Sequence, residues 1–408
     1  MKNRYAVLTV ALGMILLPAY AEDYSDEDAK YVARFLEKFP KVDPAPTLET
    51  YATAARYDEL YMGDKLAKAL ENVSNDQGGI AWGLSSRMTS INQMYRVTGD
   101  AKYIEAQLTC IRAVMAVRDD KREIKLWTGI VAPAWGCDKY AKRGRAVFAV
   151  HTGIICYPML DFLLLAKKDE AFAAKLGEEW ERIAMCCIEA IGYHDRQWRD
   201  GPPGEGHYVG LDQEEVCENK PLPGNRLSAM GLALWTSWRV TGNGTHRDRA
   251  RAIGLYIKHR LTPAPDGAYY WPYWLPIEAV KESAPKESVK GEDSSHAGLT
   301  LALPLMLAAD NEVFTAEDVT RFGNTLVKGF GRLGNGILFG DITGNPASSP
   351  NYVGQATAWA QTAKQVPAVR DLIVTHYLNY RPTPNPLDLS RLLTLGTLST
   401  TQVVVGDG

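Results

Sequence analysis

Apolar residues recur three and four positions apart along most of this chain, and strict apolar–polar alternation is rare. The pattern predicts helices at 26–38, 48–71, 84–97, 101–117, 146–166 and 169–191. It predicts more at 227–240, 247–261, 296–308, 316–329, 355–364, 367–379 and 387–393. That is far above the usual helical share of a globular chain. The sequence also repeats. Tyr95-Arg96-Val97-Thr98-Gly99-Asp100 returns as Trp238-Arg239-Val240-Thr241-Gly242-Asn243. Each copy reads as a helix stopped by Gly, with another helix starting just after it. His151-Thr152-Gly153 returns as His296-Ala297-Gly298, each opening an apolar helix. The two offsets, 143 and 145, agree. Aromatic loops, 127–135 and 269–274, fall between the echoes. Residues 355–379 read as one more helical hairpin.

Hairpins of this kind bury their apolar faces by stacking. A closed ring covers every face and leaves one end for loops. The expected fold is all-α: an (α/α)6 or (α/α)7 toroid of antiparallel hairpins. Residues 22–408 would form one domain behind a secretory signal at 1–21. Lys2 and Arg4 precede a short apolar run, and Ala19-Tyr20-Ala21 is a small-x-small cleavage site. No later apolar stretch reads as long enough to span a bilayer. These features predict a secreted or periplasmic protein without a membrane anchor.

Composition narrows the partners. The 408 residues are 46% hydrophobic and 23% charged, which excludes a disordered chain. The formal charge of −3 and the lack of long basic runs argue against nucleic-acid binding. Ten Trp and 20 Tyr stand against 9 Phe. Such aromatics keep a polar edge and suit wet binding surfaces. The six Cys allow 15 full pairings, so connectivity stays open. Cys110, Cys156, Cys186 and Cys187 fall in helical stretches and read as buried thiols. No CxxC pair, paired-His spacing or EF-hand loop occurs, so neither metal nor cofactor is expected.

The phrase Arg96-Val97-Thr98-Gly99-Asp100-Ala101-Lys102-Tyr103, the aromatic loops and the signal resemble the (α/α) toroid enzymes of uronic-acid polysaccharides. The alginate and glucuronan lyases are the nearest type. Glucuronyl epimerase domains and unsaturated glucuronyl hydrolases share that fold. The resemblance implies an anionic polysaccharide substrate and β-elimination, with Asn, His, Tyr and Arg at the site. A lyase must neutralise the uronate carboxylate, remove the neighbouring carbon-bound proton and protonate the leaving oxygen.

The candidates lie beside loops. Asn225 and Arg226 open a strong helix pattern. Asn225 suits carboxylate binding or helix capping, and Arg226 sits where the helix dipole prefers an acid. His296 follows a long polar loop, and His151 is its repeat equivalent. Tyr352 is a candidate base or acid. His207 and Tyr208 lie in the loop 195–224, which is too long for a mere connection. Trp127, Trp135, Tyr270, Trp271, Tyr273 and Trp274 are candidate sugar platforms, and Trp82 another. Their alternative is loop packing. Arg87, Arg118, Lys139, Lys142, Arg143 and Arg145 could meet a polyanion. A glycoside hydrolase would instead pair carboxylates from Asp212, Glu214, Glu215, Glu292 and Asp293. A uronate epimerase would start from the same proton abstraction as a lyase. A non-catalytic glycan-binding protein ranks below these.

Overall fold

The computed structural model describes residues 24–211 and 219–401. The expected signal at 1–21, together with Cys217, Asp212, Glu214 and Glu215, lies outside them. Within the described residues, six helices form a closed inner ring. In chain order these are Ser85–Thr98, Ala149–Ala166, Gly224–Thr241, the pair Ser294–Thr300 and Ala302–Ala309, Ala356–Lys364 and Pro386–Thr401. Each packs on the next, and the sixth packs back on the first. Gln93 of the first donates to Thr394 Oγ1 of the sixth at 2.7 Å across that closing seam. Outer helices cover the seams. Ala54–Tyr61 lies over the sixth and first, Ala101–Ala116 over the first and second, and Glu178–Gly192 over the second and third. Gly244–Lys258 and Ala316–Asn324 continue the outer layer, and Ala368–Tyr380 packs on the fifth inner helix. The architecture is an all-α toroid of six hairpins, the smaller of the two expected ring sizes.

The repeated hairpin phrase is the turn between an inner and an outer helix. Gly99 and Gly242 cap the first and third inner helices in left-handed conformations, φ 67° and 77°. A side chain there would meet its own carbonyl oxygen. Asp100 and Asn243 then cap the next helices through side-chain oxygens. Turns at that end are therefore short. The returns from outer to inner helices are long, at 117–148, 193–223, 259–293 and 331–355. Two of them carry short antiparallel ribbons: Trp198–Asp200 against Gly206–Tyr208, and Thr262–Pro263 against Tyr269–Tyr270. All four long loops thus gather at the end where the inner helices begin.

Several predicted helices break where local chemistry demands it. The stretch 48–71 divides into Leu48–Tyr51, Ala54–Tyr61 and Asp64–Leu70. Thr53 starts the middle piece as an N-cap, and Gly63 turns at φ 55°. The stretch 169–191 divides at Gly177. The second inner helix is long and apolar enough to cross a membrane, contrary to expectation, but it is buried on nearly all sides within the ring. Cys110, Cys156, Cys186 and Cys187 are buried thiols in helices, as expected.

The glycines of the His-x-Gly echo have a packing role. A Cβ on Gly153 would lie 2.5 Å from the Ala229 backbone of the third inner helix. One on Gly298 would lie 2.8 Å from the Gln355 side chain. These glycines let neighbouring inner helices approach closely. Several polar groups buried in the same layer are paired. Asp161, inside the apolar second helix, binds Arg96 and Asn92. The Pro158 carbonyl accepts from Asn92 and Gln107.

Gly153→Ala is expected to cost about 1–3 kcal/mol, because the added methyl forces two helix backbones apart. Urea unfolding would measure it, and unchanged stability would refute the close-contact reading. A second expectation concerns acid. Burial lowers His151 to about 3, with Arg226 adding to it. Burial also lowers His194 to about 4 and His376 to about 3. Between pH 6.5 and 4 the unfolded chain binds these protons and the folded chain does not. Each histidine therefore removes about 1.4 kcal/mol of stability per pH unit as pH falls. Glu292, raised to about 8 by burial, acts in the opposite sense over the same range. Stability should still fall toward acid, and His376→Gln should make the slope shallower by about one proton; a flat profile would refute this.

Candidate active site

The loop end of the ring holds a cavity of 320 Å³. Trp82, Tyr140, Phe148, Val150, His151, Asn225, Arg226, Tyr273 and His296 line it. It is built by the first turns of three inner helices. His151 lies in the first turn of the second, Asn225 and Arg226 in that of the third, and His296 in that of the fourth. Helical geometry, repeated around a ring, brings residues from opposite halves of the sequence to one mouth. Loops supply most of the walls, and Trp82 comes from the helical turn Ile80–Leu84 that leads into the first inner helix. Trp82, Tyr140 and Phe148 surround the His151 ring edge-on, at centroid distances of 5.4, 5.7 and 5.4 Å. Tyr273 packs edge-on against His296 at 5.2 Å.

The two imidazoles are held in opposite ways. His296 Nδ1 donates to Asp293 Oδ2 at 2.6 Å. Asp293 also caps the fourth inner helix through the His296 N–H. Burial pushes the Asp293 carboxyl up, but bonds from His296 and Ser295 outweigh it and hold the carboxyl below its usual range. It therefore stays ionised and keeps the proton of His296 on Nδ1. That leaves Nε2 bare, as an acceptor.

His151 is buried, and Asn75 fixes its tautomer. Asn75 Oδ1 accepts from the Ala81 N–H at 3.1 Å, and Nδ2 donates to the Trp135 carbonyl at 3.0 Å. The amide orientation is thereby set. The same Nδ2 lies 3.3 Å from His151 Nδ1, so Nδ1 accepts. The proton of neutral His151 is then on Nε2, as a donor. Burial first, and the charge of Arg226 second, keep this ring neutral down to about pH 3. One mouth therefore holds a carboxylate-backed imidazole with a basic nitrogen, a neutral imidazole with an N–H, and a guanidinium.

The structure gathers His151, Asn225, Arg226, His296 and Tyr273 of the expected residues. Asn225 lies within its helix, behind the Pro223 cap, and its Oδ1 accepts from the Arg226 N–H. Tyr352 is corrected. It is 51% exposed on a short turn outside the mouth lining, where its carbonyl accepts from Ser294. Trp135, Tyr208, Tyr270 and Trp271 are fully buried and hold the loop end together rather than offering faces to sugar. Trp135 donates to Val114 O, Tyr270 to Asp266 and Trp271 to Glu292. His207 is half-buried against Tyr256 on a ribbon. Trp127 lies under Arg143, and Trp274 flanks Tyr273 at the rim. Arg87 binds the Lys65 carbonyl and lines the interior of the ring. Arg118 and Arg145 are buried and paired with Asp120 and Asp119, so they do not meet a polyanion.

Asn75, Tyr140 and Phe148 escaped sequence reasoning. Asn75 had a faint signal, standing just before Gly78-Gly79 and the first inner helix. Tyr140 was masked by the basic run around it. Neither Glu292 nor Asp293 lines the mouth. Glu292 is fully buried and, with burial raising it to about 8, is protonated at neutral pH. Among the described residues no Asp or Glu lines the mouth, and no cluster of three His, Cys, Asp or Glu is placed to hold a metal.

No protein-family model and no curated protein matches the chain. Solved structures similar to it include the GH76A α-1,6-mannanase of Salegentibacter sp. HEL1_6, at 12% identity and a TM-score of 0.47 over 84% of this chain and 99% of that one. Cellobiose 2-epimerase from Spirochaeta thermophila DSM 6192 has 12% identity and a TM-score of 0.48 over 86% and 99%. A D-mannose isomerase has 12% identity and a TM-score of 0.49 over the same shares, 86% and 99%. These are by name a hydrolase, an epimerase and an isomerase, not lyases. The expectation of a β-eliminating polysaccharide lyase is corrected accordingly and dropped.

Proposed function

We propose that this chain is a carbohydrate-active enzyme that moves a proton at a sugar carbon next to a carbonyl, interconverting an aldose and a ketose. One observation carries the reading: two imidazoles in the same mouth are held in opposite tautomers. His296 Nε2 takes the carbon-bound proton. The C–H bonding pair becomes the carbon–carbon double bond, and the carbonyl π pair moves onto oxygen, leaving an enediolate. The His151 Nε2–H and the Arg226 guanidinium stabilise that oxyanion, and Asp293 stabilises the imidazolium formed on His296. A neutral imidazole suits this electrophilic part because it needs no protonation at working pH. His296 then returns the carbon-bound proton to the former carbonyl carbon on the same face, while the neighbouring hydroxyl passes its proton to the oxyanion and becomes the new carbonyl.

The single base separates isomerisation from epimerisation. Inversion at one carbon needs a second proton donor on the opposite face, and His151 stays neutral down to about pH 3. The cavity, at 320 Å³, lies at the small end of ligand sites and suits one sugar ring. Aromatic walls offer stacking surfaces for the apolar face of that ring.

Incubation with D-mannose, D-glucose and D-fructose in deuterated water tests this by NMR. The expected result is interconversion with deuterium entering at the carbon beside the carbonyl. His296→Gln should lower the rate at least 10²–10⁴-fold, the usual weight of a positioned base. Asp293→Asn should lower it by a similar factor without unfolding the chain, while Tyr352→Phe should leave it within about twofold. New reducing ends from an oligosaccharide, with no deuterium uptake by any sugar, would sink the proposal.

A further inference from the structure

Below the mouth, the axis of the ring is hollow. A cavity of 990 Å³ is lined by side chains from all six inner helices, and Trp82 borders both it and the mouth. Protein interiors are ordinarily packed to near-crystalline density, so an open cavity of this size along the axis leaves room for a ligand. Its charged lining is lopsided: Arg87, Arg96, Arg239 and Arg391 against Asp310 and Asp388. Tyr157 lies among them, six residues and under two helical turns below His151, about 9 Å along the axis. Arg96 and Arg239 come from further along their helices, and helical side chains lean back toward the N-terminus, that is, toward Tyr157.

The arginines keep donors to spare. A guanidinium carries five N–H groups. Arg391 makes one long bond, to Thr357 Oγ1 at 3.4 Å, and no ion pair among the described residues. Arg239 meets Asp310 at 3.6 Å, and that carboxylate already accepts from Trp235 at 2.7 Å. Asp388 is taken up by Thr357 and Asn385. Arg96 pairs with Asp161 yet keeps 36% of its side-chain surface open, and it lines the cavity. Burial lowers the pKa of Arg391 and raises those of Tyr157 and Asp388, so an anion beside the Arg391 guanidinium would offset the cost of burying its charge. A raised Asp388 also weakens the negative charge that would oppose an anion.

We propose that the axial cavity is a second binding site, for a small ligand bearing one carboxylate or phosphate, held by Arg391, Arg239, Arg96 and the Tyr157 hydroxyl. Planar guanidinium forks match both groups bidentately. The site is separate from the mouth, and the proposal does not rest on the isomerase reading.

Calorimetry on the full chain carrying His296→Gln separates binding from turnover. The probes are D-glucuronate, D-glucose 6-phosphate and D-glucose. At least one anion should bind, glucose should not compete, and added salt should weaken the anion. Arg391→Gln and Arg239→Gln should each weaken binding at least tenfold, and Arg226→Gln, in the mouth, should not. Arg239 is part-exposed, so its variant keeps the test open if Arg391→Gln fails to fold. Which anion binds decides between a sugar acid and a sugar phosphate. Displacement of the anion by glucose, indifference to both arginine variants, or loss only in Arg226→Gln would overturn the proposal.

Discussion

Everything in this chain depends on closing a ring of helices. A helical hairpin cannot bury its apolar face alone, and a row of hairpins always leaves two open ends. Here the sixth inner helix meets the first, and the Gln93–Thr394 bond crosses that seam. Closure lets the second inner helix be apolar on nearly every side without meeting water or lipid. It also sets the demand for small residues. Gly153 and Gly298 stand where neighbouring inner helices approach closely, one turn in from the starts that build the mouth.

The same constraint places the chemistry. All inner helices start at one end, so their first turns and the long returning loops converge there. The mouth inherits three helix starts, each with exposed N–H groups and a positive dipole end. Only one, the fourth, is capped by a carboxylate, and that carboxylate also holds His296. A cap worth about 1 kcal/mol to the helix thus also polarises the base. His151 sits at the equivalent turn of the second helix, but its surroundings are Asn75 and three aromatic rings. One repeat position has become two different imidazoles through what packs behind each.

The hollow axis follows from ring size. Six inner helices enclose a space that medium side chains do not fill, and Gly, Ala and Ser on the inward faces leave it open. Water or a polar ligand in that space needs partners, and the arginines supply them. Burying those arginines is costly unless each finds an anion or a strong acceptor. Aspartates meet part of that need, and the remaining donors are the basis for the second site.

The sequence by itself determined the helical hairpins, their stops and the ring. Period and caps are local: Gly99, Asp100, Gly242 and Asn243 act within a few residues, so they can be read in order along the chain. The offset of the His-x-Gly echo also located both imidazoles of the mouth, because equal spacing in a ring means the same end of it. Tertiary structure alone decided which aromatics meet solvent. Trp271 and Tyr273 are two residues apart, yet one is locked onto Glu292 and the other faces the mouth. It decided that Tyr352 points away, that Arg118 and Arg145 are sealed by aspartates, and that Asn75, 76 residues from His151, sets its tautomer. Burial and hydrogen-bond partners are properties of distant residues brought together, and no local pattern encodes them. The reaction class turns on those same partners, which is why the ring was legible in the sequence and the lyase reading was not sustained.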